Sequence, residues 1–155
     1  MTADDIIALA GELFALKRSP SEALCRNIVG RSYYGAYHSA LALLVELGLS
    51  GSTDHKTPVR WLIESGEPIA KRAGQLLDDL YQTRRRADYD LNHPRAIAES
   101  RDLSFVKSQV ECAHAIKSLL GLCALEPARS TILDGTRAFR ERAEQGKQHR
   151  AIDIR

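Results

Sequence analysis

The sequence predicts an all-α fold, an up-and-down bundle of four to five helices. Apolar residues recur every three or four positions along most of the chain, and no stretch alternates strictly between apolar and polar residues as a half-buried strand would. Two pairs, Ser19-Pro20 and Thr57-Pro58, have the residue types that open helices at the N-cap and the first helical position. Gly66 follows an apolar stretch, as glycines that end helices do.

The predicted helices cover residues 2–17, 20–48, 58–65, 68–93 and 98–124. In the first helix, Thr2 is placed to cap the N-terminus, and Asp4 suits the positive end of the helix dipole. The second begins with S-P-S-E, in which Ser19 and Glu22 have the spacing of a capping box, and it ends at Gly48. Since apolar residues occupy most of its circumference, we expect this long helix to pack against neighbours on several sides.

The later helices are bounded mainly by prolines. Thr57-Pro58 opens the third helix, which stops at Gly66, and Pro68 opens the fourth. The fourth helix must end before Pro94, because the residue before a proline disfavours the α conformation.

We expect two regions in the chain, a helical bundle over residues 1–126 and a C-terminal tail over residues 127–155. The apolar residues of the tail are sparse, so their burial offsets little of the entropy that is lost on ordering. The tail is therefore expected to be loosely attached or to pack on a partner subunit, with at most a short helix over residues 136–145.

Composition and charge narrow the class of protein. With 155 residues, 44% hydrophobic and 27% charged, the chain fits one globular domain with one core and lies far from disordered or collagen-like sequences. The formal net charge is only +2. Any attraction to nucleic acid must therefore come from a local cluster of arginines rather than from the field of the whole molecule.

Three cysteines, Cys25, Cys112 and Cys123, are an odd number without C-x-x-C spacing, and their apolar helical surroundings predict reduced core residues. No apolar run approaches the roughly 18 residues that cross a bilayer. The first ten residues, MTADDIIALA, are acidic where a signal peptide would be basic. We therefore expect a cytoplasmic protein that does not insert into a membrane.

Charged groups are densest in residues 81–94, YQTRRRADYDLNHP. A helical wheel places Arg84 inside the apolar stripe of the fourth helix, so Arg84 is predicted to be structural. Arg86 and Tyr89 fall on the other side, and His93 would join them if the helix continued that far. We expect these three residues to share one solvent-facing surface.

An arginine and a histidine on one wet surface suit phosphodiester cleavage. A guanidinium offers paired donors to a phosphate, and an imidazole with a pKa of about 6.5 can move protons at neutral pH. Attack by the ribose 2′-hydroxyl needs no metal. We predict Arg86 and His93 as the catalytic pair, supported by Arg85, Asp88 and Tyr89.

A purely structural interpretation of the same stretch stays open. Arginines are favoured near a helix C-terminus by the dipole, and Arg84 with Asp88 or Arg86 with Asp90 has the i to i+4 spacing that stabilises exposed helices. In that case His93, next to a proline, would be only a loop residue.

A second arginine and histidine, Arg31 and His38, have the same seven-residue step on the second helix. Their face also carries small residues, which predicts burial against the fourth helix or across a subunit contact. A buried arginine needs a carboxylate, and Asp88 or Asp90 are candidates. The alternative is that Arg31 and His38 take part in the phosphate or nucleotide site.

The remaining histidines do not indicate a metal site. His114 falls on the inward stripe of the fifth helix and is predicted to be a core residue. His55 lies in a loop without a partner at a recognised metal-ligand spacing. A cluster of tyrosines, Tyr33, Tyr34 and Tyr37, is predicted to be core rather than a base-stacking surface. We expect neither a metal nor a cofactor.

Three segments resemble HEPN domains, the small helical family found in prokaryotic toxins and beside minimal nucleotidyltransferases. They are RSYYGAYHSALALLVELGL in the second helix, which is similar to the phrase R-x-Y-Y-A-A-x-H-A-A, the pair His55-Lys56, and LYQTRRRADYD at the end of the fourth helix. The resemblance covers about residues 3–125.

The resemblance implies a HEPN-like bundle that forms a homodimer, with sites where two subunits meet. Many members are metal-independent ribonucleases that use an arginine followed by four to six residues and a histidine, a pattern that Arg86 and His93 match. It further implies a toxin or defence component that acts on RNA and is paired with a nucleotidyltransferase antitoxin. Where the family commonly has a polar residue after the arginine, this chain has Ala87. The alternative is a non-catalytic adaptor that binds a nucleotide or a nucleotidyltransferase.

Overall fold

Seven helices and no strand make up the part of the chain that the computed structural model describes, residues 1–16, 20–49 and 54–152. The predicted all-α class is confirmed, whereas the predicted number of helices is too low. The helices are α1 (Ala3–Ala15), α2 (Glu22–Glu46), α3 (Lys56–Glu64), α4 (Pro68–Tyr89), α5 (Pro94–Arg101), α6 (Leu103–Cys123) and α7 (Ala128–Ile152).

Helix α2 is the centre of the bundle, as its apolar circumference predicts. It packs against α1, α4 and α6. Its fully buried side chains include Ile28, Val29, Tyr33, Ala36, Ala40 and Leu44. A second, smaller buried cluster contains Ile28, Val29 and Val106 and reaches Ala87 near the end of α4. The C-terminal part of α4, which carries the candidate site, therefore rests directly on the core.

The ends of α1 and α2 follow local capping chemistry. Thr2 caps α1, since its hydroxyl accepts the amide of Asp5 at 3.2 Å while the Asp5 carboxylate accepts the amide of Thr2 at 2.6 Å. The predicted end of the first helix at residue 17 and the predicted cap Ser19 lie outside the described residues. In the structure α2 is capped by Ser21, whose hydroxyl accepts the Leu24 amide at 3.3 Å.

Helix α3 begins two residues before the predicted start at Pro58. The carboxylate of Asp54 accepts the amides of Lys56 and Thr57, and this satisfies donors of the first turn that the hydroxyl of Thr57 was expected to serve. Gly48, with φ +70°, and Gly66, with φ +79°, adopt the left-handed conformation that follows a helix end, as predicted.

The predicted end of the fourth helix and the predicted start of the fifth are both wrong. Helix α4 ends at Tyr89, four residues before the predicted end, and His93 is the N-cap of a separate short helix, α5. Asp102 then interrupts the helix a second time, between α5 and α6. Its backbone is extended, and its carboxylate accepts the amides of Ser104 and Phe105 at the start of α6. The predicted helix over residues 98–124 is thus interrupted at Asp102, and residues 94–97, expected outside a helix, belong to α5.

The expected loose tail is replaced by a packed helix. Helix α7 has 25 residues, far more than the predicted 136–145, and Ile132 and Thr136 are fully buried. It contacts α3 and α6. Gly135 lies so close to α3 that a Cβ there would be 1.9 Å from the Ser65 carbonyl oxygen. Burial of Ile132 stabilises the fold by about 1.5–3 kcal/mol. The close approach thus lets α7 pack on the bundle although α7 has no broad apolar face.

The thiols occupy apolar positions, as predicted. Cys25 and Cys123 are buried and Cys112 is half-buried, and all three are free. Burial raises the pKa of Cys25 and Cys112, and raises that of Cys123 to about 11.

Across the described residues, none of the helices combines the length and the apolar character that crossing a membrane would require.

Candidate functional site

The C-terminal turns of α4, together with its C-cap residue, line an open cleft of about 290 Å³. Its lining residues are Gln82, Arg85, Arg86, Tyr89 and Asp90. Arg85 is exposed, and its guanidinium lies 5.9 Å from the centre of the Tyr81 ring. Two predicted phosphate-binding arginines therefore face one solvent-filled space, together with Tyr89.

Arg86 is held in a fixed orientation by α5. Its Nε donates to Glu99 Oε2 at 3.0 Å, and its Nη2 donates to Glu99 Oε1 at 3.2 Å and to Thr83 Oγ1 at 3.2 Å. The carboxylate is therefore Glu99, thirteen residues away, and not Asp90 as the i to i+4 spacing suggested. Nη1 of Arg86 has no hydrogen-bond or ionic partner in the described part of the chain. Arg86 itself lines the cleft.

The carboxyl of Glu99 is charged at neutral pH. Burial favours its neutral form, but the hydrogen bonds from Arg86 and Arg95 outweigh burial and lower the pKa of Glu99. The side chain of Glu99 is only 15% exposed, so the attraction between Glu99 and Arg86 is weakly screened by solvent.

His93 is placed on α5 rather than on α4. As the N-cap residue, it accepts the Arg95 amide on Nδ1 at 3.2 Å, which leaves the proton of the neutral imidazole on Nε2. The helical wheel that placed His93 beside Arg86 does not apply, because α4 ends at Tyr89. Among the described residues no hydrogen bond joins His93 to Arg86, and His93 does not line the cleft.

The turn between Arg86 and His93 is braced by Arg26, a residue that the sequence did not single out. Arg26 is 8% exposed. Its Nη1 donates to the carbonyl of Ala87 at 2.7 Å and its Nη2 to that of Leu91 at 3.3 Å, and it pairs with Glu22 at 2.9 Å. The i to i+4 spacing of Glu22 and Arg26 was the available signal. The pair satisfies carbonyls at the C-terminus of α4 and so fixes the path of the chain to α5.

Arg84 has the structural role that the wheel predicts. Its Nε lies 2.7 Å from Asp88 Oδ2, an ion pair without the alignment of a hydrogen bond, and its Nη2 donates to the Tyr34 hydroxyl at 2.7 Å. The guanidinium is 5.1 Å from the ring centres of both Tyr34 and Tyr89. Tyr89 is 66% exposed, so one part of its ring is supported by Arg84 while the rest faces solvent.

Arg31 and His38 are both exposed in the single chain, so their predicted burial against the fourth helix is wrong, while burial across a subunit contact stays a prediction. Asp88, proposed as a partner for Arg31, is instead paired with Arg84. Arg31 lines a separate small cavity of about 160 Å³, whose other lining residues are Asn27, Gly30, Tyr34 and Asp88. His38 contacts the ring of Tyr37, with ring centres 5.4 Å apart. The two residues lie on α2, outside the cleft that contains Arg86.

His55 packs among the tyrosine rings, a role that its position in a predicted loop did not indicate. It accepts or donates a 2.6 Å hydrogen bond between its Nδ1 and the hydroxyl of buried Tyr33. Its ring centre is 4.8 Å from that of Tyr37 and 5.6 Å from that of Tyr81, with the Tyr81 ring stacked on it. Burial and the nearby Arg84 lower its pKa. His55 therefore joins the start of α3 to α2 and α4. Tyr33 and Tyr37 are core residues as predicted, whereas Tyr34 is half-buried.

His114, expected in the core, is exposed. The buried stripe of α6 is formed by Val110, Ala113, Ile116 and Leu120, so His114 lies one residue beyond it. No group of three or more histidine, cysteine, aspartate or glutamate side chains within the described ranges is arranged to hold a metal ion.

Comparison of the chain with protein-family models, with curated proteins and with solved structures finds no match in any of the three. What the cleft does must therefore be inferred from its own residues.

Proposed function

We propose that the protein is a HEPN-like, metal-independent endoribonuclease, a cytoplasmic toxin or defence component that is paired with a nucleotidyltransferase-type antitoxin. The observation that carries the proposal is Arg86, which lines an open cleft while Glu99 holds its Nε and Nη2, and whose Nη1 has no partner among residues 1–16, 20–49 and 54–152. A second cation, Arg85, and the exposed ring of Tyr89 share the cleft. Phosphate and an adjacent base are the ligand groups that suit such a surface.

The reaction uses the 2′-hydroxyl of the RNA as the nucleophile. Its proton passes to an imidazole, the 2′-oxygen bonds to phosphorus, and the bond from phosphorus to the 5′-oxygen breaks as that oxygen gains a proton. The products are a 2′,3′-cyclic phosphate and a 5′-hydroxyl. Arg86 stabilises the charge that grows on the non-bridging oxygens, and His93 transfers the protons.

A homodimer is part of the proposal. His93 does not contact Arg86 within one chain, and its Nε2–H is not engaged by the N-cap interaction, which uses Nδ1. Two subunits that meet at the ends of α4 and α5 would supply two arginines and two imidazoles, one imidazole as base and the other as acid.

The test is cleavage of RNA by the purified protein in EDTA. The wild type should cut, and Arg86→Ala and His93→Ala should each abolish cutting. The matched control is Arg72→Ala, an exposed arginine of the same helix that lies outside the cleft and should retain activity. Unchanged cleavage by both Arg86→Ala and His93→Ala would remove this mechanism.

A non-catalytic adaptor is the second candidate. Two observations favour it: Glu99 neutralises much of the charge of Arg86, and Ala87 replaces the polar residue that commonly follows the family arginine. Titration of RNA and of ATP separates the two, because the adaptor should bind through Arg85 and Arg86 and leave both ligands intact.

A further inference from the structure

We propose that Glu99 is the positioning residue of this site, which holds the Arg86 guanidinium and the His93 imidazole in one rigid frame. The inference rests on the proposed function, because it assigns a role within the same cleft.

The first support is the geometry of the contact. Both carboxylate oxygens of Glu99 bind the guanidinium edge formed by Nε and Nη2 of Arg86, at 3.0 and 3.2 Å. A two-point contact of this kind fixes the plane of the guanidinium as well as its position. Thr83 accepts a further bond from Nη2 at 3.2 Å, so the described residues bind Nε and Nη2 of Arg86 and leave its Nη1 for a ligand.

The second support is the placement of Glu99 on α5. This helix has eight residues, and it begins directly after its N-cap, His93. Glu99 is six residues further along, about one and two-thirds turns, since a helix has about 3.6 residues per turn. By binding Arg86, Glu99 therefore also fixes α5 against α4. This sets the distance from the Arg86 guanidinium to the His93 imidazole.

The third support is the charge balance. Glu99 Oε1 also accepts from Arg95 Nε at 2.7 Å. Arg86, Glu99 and Arg95 together carry two positive charges and one negative charge, so the group keeps a net charge of +1. The carboxylate can order both arginines while the cleft still attracts a phosphate.

The experiment compares Glu99→Gln with Glu111→Gln in steady-state cleavage of an RNA oligonucleotide in EDTA. Glutamine has nearly the same size as glutamate but has no charge and presents only one acceptor oxygen. Glu111 is a matched control, because it is an exposed carboxylate of α6 that pairs with Lys107 at i to i+4, 3.3 Å apart. Glu99→Gln should lower kcat by about 10²-fold with little change in KM, as expected when catalytic groups are misplaced rather than removed.

A second measurement does not depend on activity. In proton–nitrogen correlation spectra of the wild type, the Nε–H signal of Arg86 should be sharp and protected from exchange with water, and Glu99→Gln should remove this protection. An unprotected Arg86 Nε–H in the wild type overturns the inference, even if Glu99→Gln does not fold.

The outcomes separate this inference from the proposed function. Cleavage by Glu99→Gln equal to or faster than that of Glu111→Gln, with an active wild type, overturns the positioning role and leaves the nuclease in place. A wild type that neither binds nor cuts RNA overturns the proposed function and, with it, this role of Glu99.

Discussion

His55 shows how a single ring can connect three helices. It lies at the start of α3, binds Tyr33 of α2 and stacks on Tyr81 of α4. Burial and Arg84 lower its pKa, whereas Asp54 opposes the shift. The imidazole is therefore neutral in the folded protein at physiological pH, and protonation would place a charge among tyrosine rings.

A pH dependence of stability follows from this lowered pKa. The unfolded chain binds a proton at His55 near the ordinary value of 6.5, whereas the folded chain binds it only at lower pH. Stability contributed by neutral His55 is therefore complete above pH 6.5 and is lost as the pH falls from there through the folded pKa. Thermal unfolding measured from about pH 7.5 to about pH 5, a range that spans the ordinary histidine pKa of about 6.5, is expected to show this loss.

The matched variants are His55→Gln and His114→Gln. His55→Gln should remove much of the loss over this range, while His114→Gln, at an exposed position of α6, should behave as the wild type. A wild-type midpoint that does not change over the range would contradict the neutral state of the half-buried His55.

For single residues, the sequence predicts contacts between side chains that are close together in the chain. The wheel correctly separated Arg84 from Arg86, because it depends only on helical geometry. It could not show that Arg86 pairs with Glu99 or that His55 meets Tyr33, since those contacts bring together different helices.

The helices of the bundle pack through close backbone contacts at glycines as well as through apolar side chains. Helix α7 looked like a loose tail because its apolar residues are few, and Gly135 was not recognised as a contact point. The structure places its backbone against Ser65 at the end of α3. The start of α4 at Pro68 was predicted correctly, whereas α2 and α3 begin two residues away from the prolines that were expected to open them. The break between α5 and α6 was missed, because the Asp102 cap interrupts an otherwise helical pattern.

Gly135→Ala should therefore destabilise the protein. The added methyl group would meet the backbone of Ser65, which cannot rotate away as a side chain would. Overpacking of this kind costs about 1–3 kcal/mol, to be measured by urea unfolding.

Gly121→Ala is the control for that substitution. A Cβ at Gly121 meets nothing within 4 Å, and the position is inside α6. This variant should be more stable than the wild type by about 0.4–1 kcal/mol, because alanine has less backbone freedom to lose. A Gly135→Ala variant as stable as Gly121→Ala would show that α7 does not pack closely on α3.

For the whole molecule, the small net charge of +2 confines any attraction for RNA to the cleft and its rim. Arg85 and Arg86 line the cleft, and Arg95 is joined to Arg86 through Glu99. Composition and periodicity were sufficient to predict the all-α class, because they average over many residues. The cleft depends on a turn and an ion pair between helices, which local patterns do not specify.

Binding of RNA should therefore depend only moderately on salt. Each phosphate contact to a single strand contributes about −0.7 to the slope of log K against log salt concentration, so three arginines predict a slope of about −2. Fluorescence anisotropy with an uncleavable 2′-O-methyl oligonucleotide measures this slope, and Arg85→Gln should reduce its magnitude by about 0.7. A much steeper slope would mean that RNA contacts a surface far larger than the cleft.

The burial of the native thiols makes the protein suitable for site-specific labelling. Alkylating reagents react with the thiolate, and the raised pKa values keep Cys25, Cys112 and Cys123 protonated at neutral pH. A cysteine introduced by Gln82→Cys, on the exposed wall of the cleft, would be modified much faster than these three. A dye attached there would report on ligand entry while the native cysteines stay in place.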